Sequence, residues 1–502
     1  MEIAKLTCIF TNKLKWIFVF TVFILSTNSK AQTPQFDWVQ NSTTYYRSFV
    51  NNTVVDQQGN IFYSGNFGYW VDFDPGAGTA IEITPINSMQ AMFVVKLDSN
   101  KNFLWVKTIV NDNYIYNTKM KLDSQGNLYF LCLASPYQLN EFYYENDTIY
   151  GEGHYLLKTN NDGVLLSAKK LELSSGFVPP VISDIEIDAD DNLYLAGNYS
   201  GTVDFDFDST QYNLSTNAPE NFLMKINNNL EFQWVKSIGS FAPYSFSEIA
   251  LSSDGYCYVF NKINGATDVD PDTSTFLLNG VGHYIAKFDS VGNFIWANQY
   301  SDIKPSSLHV TASGDILCTG SYNGTVDFDP GIGISTSTSQ GNSDIFIFKL
   351  LENGNFSWVK TYGGALNDAG YNLTSDLDEH IYFTGNYRSI VNFGSISNPF
   401  ILNSNGNEDI FLIKLDQQGN QSWVKSIGGA GNDYIYSLNY TNHSIFLGGA
   451  FNSTIDFDIG PNQMNITPIV TSLSGELYLL KLNQSVIINN DTITICQGIH
   501  SC

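Results

Sequence analysis

The sequence predicts an all-β fold, a ring of seven four-stranded antiparallel sheets, and three observations carry that prediction. A Trp-Val-Lys marker or a near variant returns at Trp38, Trp105, Trp234, Trp296, Trp358 and Trp423, with Ser167 of LLSAKK in the Trp place of a degenerate copy. Successive markers stand 62 to 67 residues apart, so the 502-residue chain is built on an internal repeat. Each interval holds four short segments of alternating or apolar character joined by Gly, Asn and Asp turns, and none shows a sustained period of 3.6. Aromatic residues make up 14% of the chain against 15% charged, a balance suited to half-buried sheet surfaces. Four-stranded units repeated radially make a β-propeller, here with seven blades. A β-solenoid is the competing architecture, but its coils are shorter than this repeat.

In chain order, residues 1–31 come first. Lys5, Lys13 and Lys15 precede an apolar run from Trp16 to Leu25, and Ser29-Lys30-Ala31 offers a small-x-small cleavage site before Gln32. That is the plan of a secretory signal peptide, and the apolar run is too short to span a bilayer. The propeller is assigned to residues 32–484. Residues 485–502 form a tail resembling the start of a further β-domain cut short, so the chain reads as the product of a longer architecture.

Within each repeat, strand A leads into a D-x-x-G-N turn, as in DQQGNIFYSG from Asp56 and DSQGNLYFL from Asp123. Strand B follows, then an acidic segment such as VDFDPG at Val71 and Val326, VDFDFD at Val203, TDVDPD at Thr267 and IDFDIG at Ile455. Strand C carries a lysine, as in FVVKLD from Phe93 and IFIFKL from Ile345. Strand D carries the Trp marker. The first marker, at Trp38, has no A, B or C before it, and the last unit lacks a D strand. The N-terminal strand is therefore expected to complete blade seven and close the ring, leaving no bare sheet edge. Val486–Ile488 is the rival for that place, but it lacks the marker. In such a blade the short A–B and C–D turns share one face of the disc. The long B–C and D–A connections share the other, where function on a face is expected.

Without residues 1–31 the balance is 20 basic against 48 acidic residues, with Arg47 and Arg388 the two arginines. A surface so acidic repels phosphate backbones, which excludes nucleic acid as a partner. Cys132, Cys257 and Cys318 fall in predicted strands and read as small buried hydrophobes. Cys496 and Cys502 could pair in an oxidising compartment.

The acidic segments are the candidate metal sites. Asp204, Asp206 and Asp208 stand two apart, as do Asp268, Asp270 and Asp272, with pairs at Asp72/Asp74, Asp327/Asp329 and Asp456/Asp458. Alternate residues of an extended strand face one side, so these carboxylates could meet on one hard cation, calcium above all. The reading we favour for the same residues is structural: Asp ends a strand and opens a turn. No EF-hand loop, no pair of histidines at metal spacing among His154, His283, His309, His380, His443 and His500, and no G-x-S-x-G elbow occurs. The Trp markers read as blade-to-blade packing.

The text D-x-x-G-N-x-x-W-V-K, with VDFDPG and D-I-F-x-x-K-L, resembles the bacterial β-propeller repeats often called SBBP repeats, of the kind secreted by bacteria that use type IX secretion. The likeness covers residues 36–483, is strongest in blades five to seven and is weakest in blade two. It implies an exported or cell-surface interaction or scaffold module. A lesser similarity, of K-L-D-x-x-G-N-x-x-W to quinoprotein dehydrogenase propellers, lacks any counterpart of their cofactor pocket. The expectation is a secreted or cell-surface propeller that binds an extracellular protein or glycan, with calcium as the one cofactor the spacing suggests. The alternative is an extracellular carbohydrate-active hydrolase or lyase using carboxylates on the long-loop face.

Overall fold

Every strand of the computed structural model is antiparallel to its neighbours within a blade, because each is joined to the next by a tight turn or a returning hairpin. The structure describes residues 33–42, 48–74, 78–83, 90–110, 115–134, 141–151, 153–175, 179–207, 210–240, 247–395, 397–468 and 475–484. The expected leader, Asp208, Cys496, Cys502 and the tail lie outside these residues. Strands A to D are Phe49–Val55, Ile61–Phe67, Ala91–Leu97 and Phe103–Val110 in blade one. In blade six they are Ala369–Ser375, Ile381–Tyr387, Asp409–Leu415 and Gln421–Ile427. Seven such sheets form a seven-bladed β-propeller, and no α-helix occurs among the described residues.

Blade seven takes its strand D from the other end of the chain. Gln35–Asn41 pairs with Glu476–Asn483, with Trp38 opposite Lys481 and Val39 opposite Leu480. The closure expected from strand counting is thus what the structure shows.

The Trp markers lock successive blades. Trp234, Trp296 and Trp358 donate their indole N–H to the carbonyls of Ser290, Glu352 and Gln417 in the C–D turn of the following blade, at 3.3, 3.4 and 3.1 Å. The Gly of each such turn has positive φ and lies against that ring. A Cβ at Gly292 or Gly354 would stand 3.0 Å from Trp234 or Trp296. Blade two, with Ser167 in place of Trp, faces a turn in which Leu230 stands where blades two, four, five and six have Gly. Leu230 holds φ 65° and is 2% exposed, within the cluster that includes Tyr129 and Leu156 of blade two. A missing indole is thus matched by a side chain where glycine would otherwise be needed. At blade one the same turn position is Lys101, φ 69°, whose Nζ lies 5.6 Å from the Trp38 ring centre. Trp423 alone faces the junction of the two chain ends, and its indole N–H has no acceptor among the described residues.

The lysine of strand C has a purpose the sequence pattern did not disclose. In six blades it lies directly across from an aromatic residue of strand B: Lys96 on Phe62, Lys158 on Tyr129, Lys225 on Tyr194, Lys287 on Tyr258, Lys414 on Tyr382 and Lys481 on Phe446. The ammonium sits 4.6 to 5.9 Å from each ring centre, within cation–π range. Several then reach the next blade: Lys158 donates to Asn228 O at 2.5 Å and Lys287 pairs with Glu352 at 2.8 Å. In blade five, where Leu317 replaces the aromatic, Lys349 pairs instead with Asp315 at 2.7 Å.

Candidate functional site: the hairpin rim and the axial channel

The long B–C segments are short two-stranded hairpins. Examples are Thr267–Asp268 with Leu277–Leu278, and Thr325–Asp327 with Thr336–Thr338. The first acid of each segment pins the hairpin. Asp72 Oδ1 accepts the N–H of Asp74 and Ala80, Asp204 those of Asp206 and Tyr212, and Asp268 those of Asp270 and Phe276. Asp327 does the same for Asp329 and Ser335, and Asp456 for Asp458 and Met464. In blade six Asn392 makes both bonds, to Gly394 and Phe400, each at 3.0 Å, so the amide oxygen serves as well as a carboxylate. The second acid tightens an inner turn: Asp329 accepts from Gly331 N and Asp458 from Gly460 N, both at 2.8 Å. Asp270 accepts Asp272 N at 3.0 Å, and Asp272 reaches Lys236 of the preceding blade at 2.8 Å. Between the acids, Phe73, Phe205, Val269, Phe328 and Phe457 are buried, as is Phe393 at the matching place between Asn392 and Gly394.

These hairpins lap the outer strand of the preceding blade. Tyr143 and Tyr144 pair with Val110 and Ile109 of blade one, and Val391 and Asn392 pair with Gly364 and Gly363 of blade five. A bare D strand is an open template for aggregation, and the hairpins cover it. Three expose a large apolar group at the same place, nine residues after the pinning residue, namely Ile81, Leu277 and Ile401; Ile332, Ile334 and Ile390 are exposed elsewhere on their hairpins, with Ile332 fully exposed.

The A strands line an axial channel of about 400 Å³, and its charge is confined to blades two, three and four. Lys119 Nζ stands 3.2 Å from Asp184 and 3.5 Å from Glu248, and Lys121 stands 2.5 Å from Glu186. Asp184 also accepts the N–H of Ile249 across the blade seam at 2.9 Å. Burial pushes Glu248 up to about 7 against the pull of Lys119. Burial likewise raises Glu186, and although it works against the Lys119 ammonium, Asp184 and Glu248 outweigh it and hold that ammonium above its usual range. Three acids face two lysines, so one proton on Glu248 balances the set. Nothing in the repeat marks these residues, since the A strands differ most from blade to blade; the charged pattern NTKMKL and SDIEI was the available signal.

The histidines are dispersed. His154 and His283 take equivalent places at the start of strand C, and burial lowers both to about 4. Among the described residues, one set of three ligand-type side chains lies within 4.8 Å: Asp376, Asp378 and His380. It is an A–B turn in which His380 replaces the usual Asn, its backbone N–H 2.8 Å and its Nδ1 3.0 Å from the Asp376 carboxylate. Cys132, Cys257 and Cys318 are buried in B strands as free thiols, as expected.

The class this fold defines is the seven-bladed β-propeller, a ring of repeated sheets with its variable groups on the rim and axis. No protein-family model matches the chain. An uncharacterized WD repeat-containing protein of Acanthamoeba polyphaga mimivirus is 22% identical over 480 residues, covering 80% of this chain and 34% of that protein. This chain thus spans about a third of its curated relative. Among solved bacterial structures, a protein of unknown function from Bacteroides caccae is 10% identical with a TM-score of 0.33, covering 66% of this chain and 89% of that one. A catalytically inactive virginiamycin B lyase from Staphylococcus aureus, with quinupristin, is 8% identical with a TM-score of 0.37, covering 89% and 99%. No helix among the described residues is long and apolar enough to cross a membrane.

Proposed function

We propose that this β-propeller is a secreted or cell-surface binding module that takes a protein or glycan partner on its hairpin rim. The observation that carries this reading is the set of exposed Ile and Leu side chains repeated on hairpins that are themselves pinned by hydrogen bonds. Apolar groups held on pinned loops would supply the contacts of an interaction surface. The distant WD-repeat relative supports an interaction scaffold in the same sense. Export, and release of the leader before Gln32, would leave three residues ahead of the closing strand at Gln35. Calcium on the acidic hairpins belongs to the same proposal. It would have to use the second oxygens of the first acids together with the neighbouring third-position acids.

The test is binding of outer-surface proteins and of a glycan array by the wild-type chain and by a variant carrying Ile332→Ser, Ile334→Ser and Ile401→Ser. Partner capture is expected to fall at least roughly tenfold in the variant while its thermal midpoint holds. Equal capture by both chains would remove the rim from consideration. A carbohydrate-active enzyme would instead release product from a glycan, and would lose that activity on neutralising long-loop carboxylates such as Asp270 or Asp329.

A further inference from the structure

A second cavity, of about 410 Å³, adjoins the axial channel and shares Lys119 and Glu248 with it. Ser183, Glu248 and Pro305 line it from the first residues of strand A in blades three, four and five. His154 lines it from the start of strand C in blade two, and Phe260 from strand B of blade four. Strands A and C both begin on the long-loop face, so the cavity is the mouth of the channel on that side. Its size is that of a small-molecule pocket.

Two polar groups on this wall have no hydrogen-bond partner. Ser183, 8% exposed, stands at a bulge in its strand, and its Oγ is unpaired. His154 bonds the Ile182 backbone carbonyl, while its Nδ1 is unpaired. That bond uses the Nε2 proton, and burial keeps the ring neutral near pH 7, so Nδ1 presents a lone pair. Buried acceptors without donors are costly unless an occupant supplies them. His283, the counterpart of His154 in blade four, is also unpaired at Nδ1, but its ring stacks on Phe260 at 5.2 Å outside the cavity wall. An open imidazole, an open hydroxyl and an acid meet at the channel mouth alone.

Charge selects the occupant. Lys121 is taken by Glu186 at 2.5 Å, which leaves Lys119 to serve both Asp184 and Glu248, at 3.2 and 3.5 Å. One carboxylate is therefore in excess, and Glu248 is the acid on the cavity wall. A single positive charge brought in from outside balances the set. A primary ammonium carries that charge with three N–H donors on one atom, matching Glu248, Ser183 Oγ and His154 Nδ1. Phe260 and Pro305 are apolar and suit the hydrocarbon body of such a ligand. The excess of acidic over basic residues in the chain draws cations toward the mouth.

We propose that the long-loop mouth of the axial channel binds a small primary amine, its ammonium set among Glu248, Ser183 and His154 and its apolar body against Phe260 and Pro305. This site is separate from the hairpin rim. Binding is coupled to a proton. Glu248 is faced by Lys119 of blade two and by Asp184 and Glu186 of blade three, and deeper in the channel by Lys121 and by His309 of blade five, which burial keeps neutral. Burial holds Glu248 at about 7, so below that pH an arriving ammonium displaces its proton.

The experiment is calorimetric titration of the full chain with 2-phenylethylamine, and with phenylacetate as the probe of opposite charge. The amine is expected to bind once per chain, and phenylacetate at least roughly tenfold more weakly. At about pH 6 binding should release close to one proton, read from the heats in two buffers of different ionisation enthalpy, and at about pH 8.5 none. Glu248→Gln should weaken the amine at least roughly tenfold and abolish the proton release. Ser306→Trp places a bulky ring at an exposed position of the same wall and should block entry without disturbing a buried group. It carries the test if Glu248→Gln fails to fold. The rim variant Ile332→Ser, Ile334→Ser, Ile401→Ser should bind the amine like wild type, so the two sites fail separately. Absence of binding heat at millimolar amine with an unchanged thermal midpoint would overturn the proposal. So would equal binding of phenylacetate, binding below pH 7 without proton release, or wild-type affinity in either folded channel variant.

Discussion

Single residues decide how blades meet. Gly354 combines φ 85° with a Trp296 ring 3.0 Å from where a Cβ would lie. Gly354→Ala should therefore cost about 1–3 kcal/mol, read as a lower thermal midpoint. Leu230 shows the converse, because a non-glycine residue there fills space left by Ser167. Glu248 sets a pH dependence of opposite sense to ordinary acid denaturation. Its folded pKa, about 7, lies above its unfolded value, so its contribution is complete below roughly pH 4.5 and is lost as pH rises through 7. Glu248→Gln should flatten the stability curve across that window and raise stability above it by roughly 1 kcal/mol, as measured by urea unfolding at a series of pH values.

At the scale of the element, the acidic hairpin works as a strap pinned by one side-chain oxygen. Asp456 accepts two backbone N–H groups, at 3.1 and 2.8 Å, and Asn392 makes the same pair of bonds in blade six. Asp456→Asn should therefore leave unfolding within about 0.5 kcal/mol of wild type, whereas Asp456→Ala should cost about 1 kcal/mol. Equal damage from both substitutions would mean the charge matters and the oxygen alone does not. The Asp-x-Asp spacing is legible in the sequence, and it fits both a metal site and, better, a strand-ending turn. Only the positions of the donating backbone amides, two and eight residues on, show how the first acid is used.

At the scale of the molecule, the ring depends on one strand borrowed across the whole chain. Trp38 and Val39 pair with Lys481 and Leu480, and Asn41 Nδ2 donates to Glu476 at 2.5 Å. Deleting residues 33–41 exposes Glu476–Asn483 as a bare edge beside Trp423. The truncated chain should unfold at a markedly lower temperature and self-associate in size-exclusion chromatography. A monomer with wild-type stability would show that another segment can take that place. The lysine–aromatic pair recurs in six blades and the indole-to-turn bond at three seams, so damage at one is expected to weaken its neighbours through shared contacts.

The sequence by itself determined the number of blades, the four strands in each, and the borrowed closing strand, because these follow from counting a periodic hydrophobic and turn pattern. It also marked the Trp ladder and the buried cysteines, whose chemistry leaves little choice of place. What only the tertiary structure decided is which residues from different repeats come together: Lys119 with Asp184 and Glu248, Lys287 with Glu352, and Asp409 with Asp433. Each of these meetings joins different blades, neighbouring ones except for Lys119 and Glu248, which lie two blades apart, across 24 to 129 residues of chain. A repeat announces what its copies share, whereas the channel and the seams are made where neighbouring copies differ or touch, and that depends on how the ring curves.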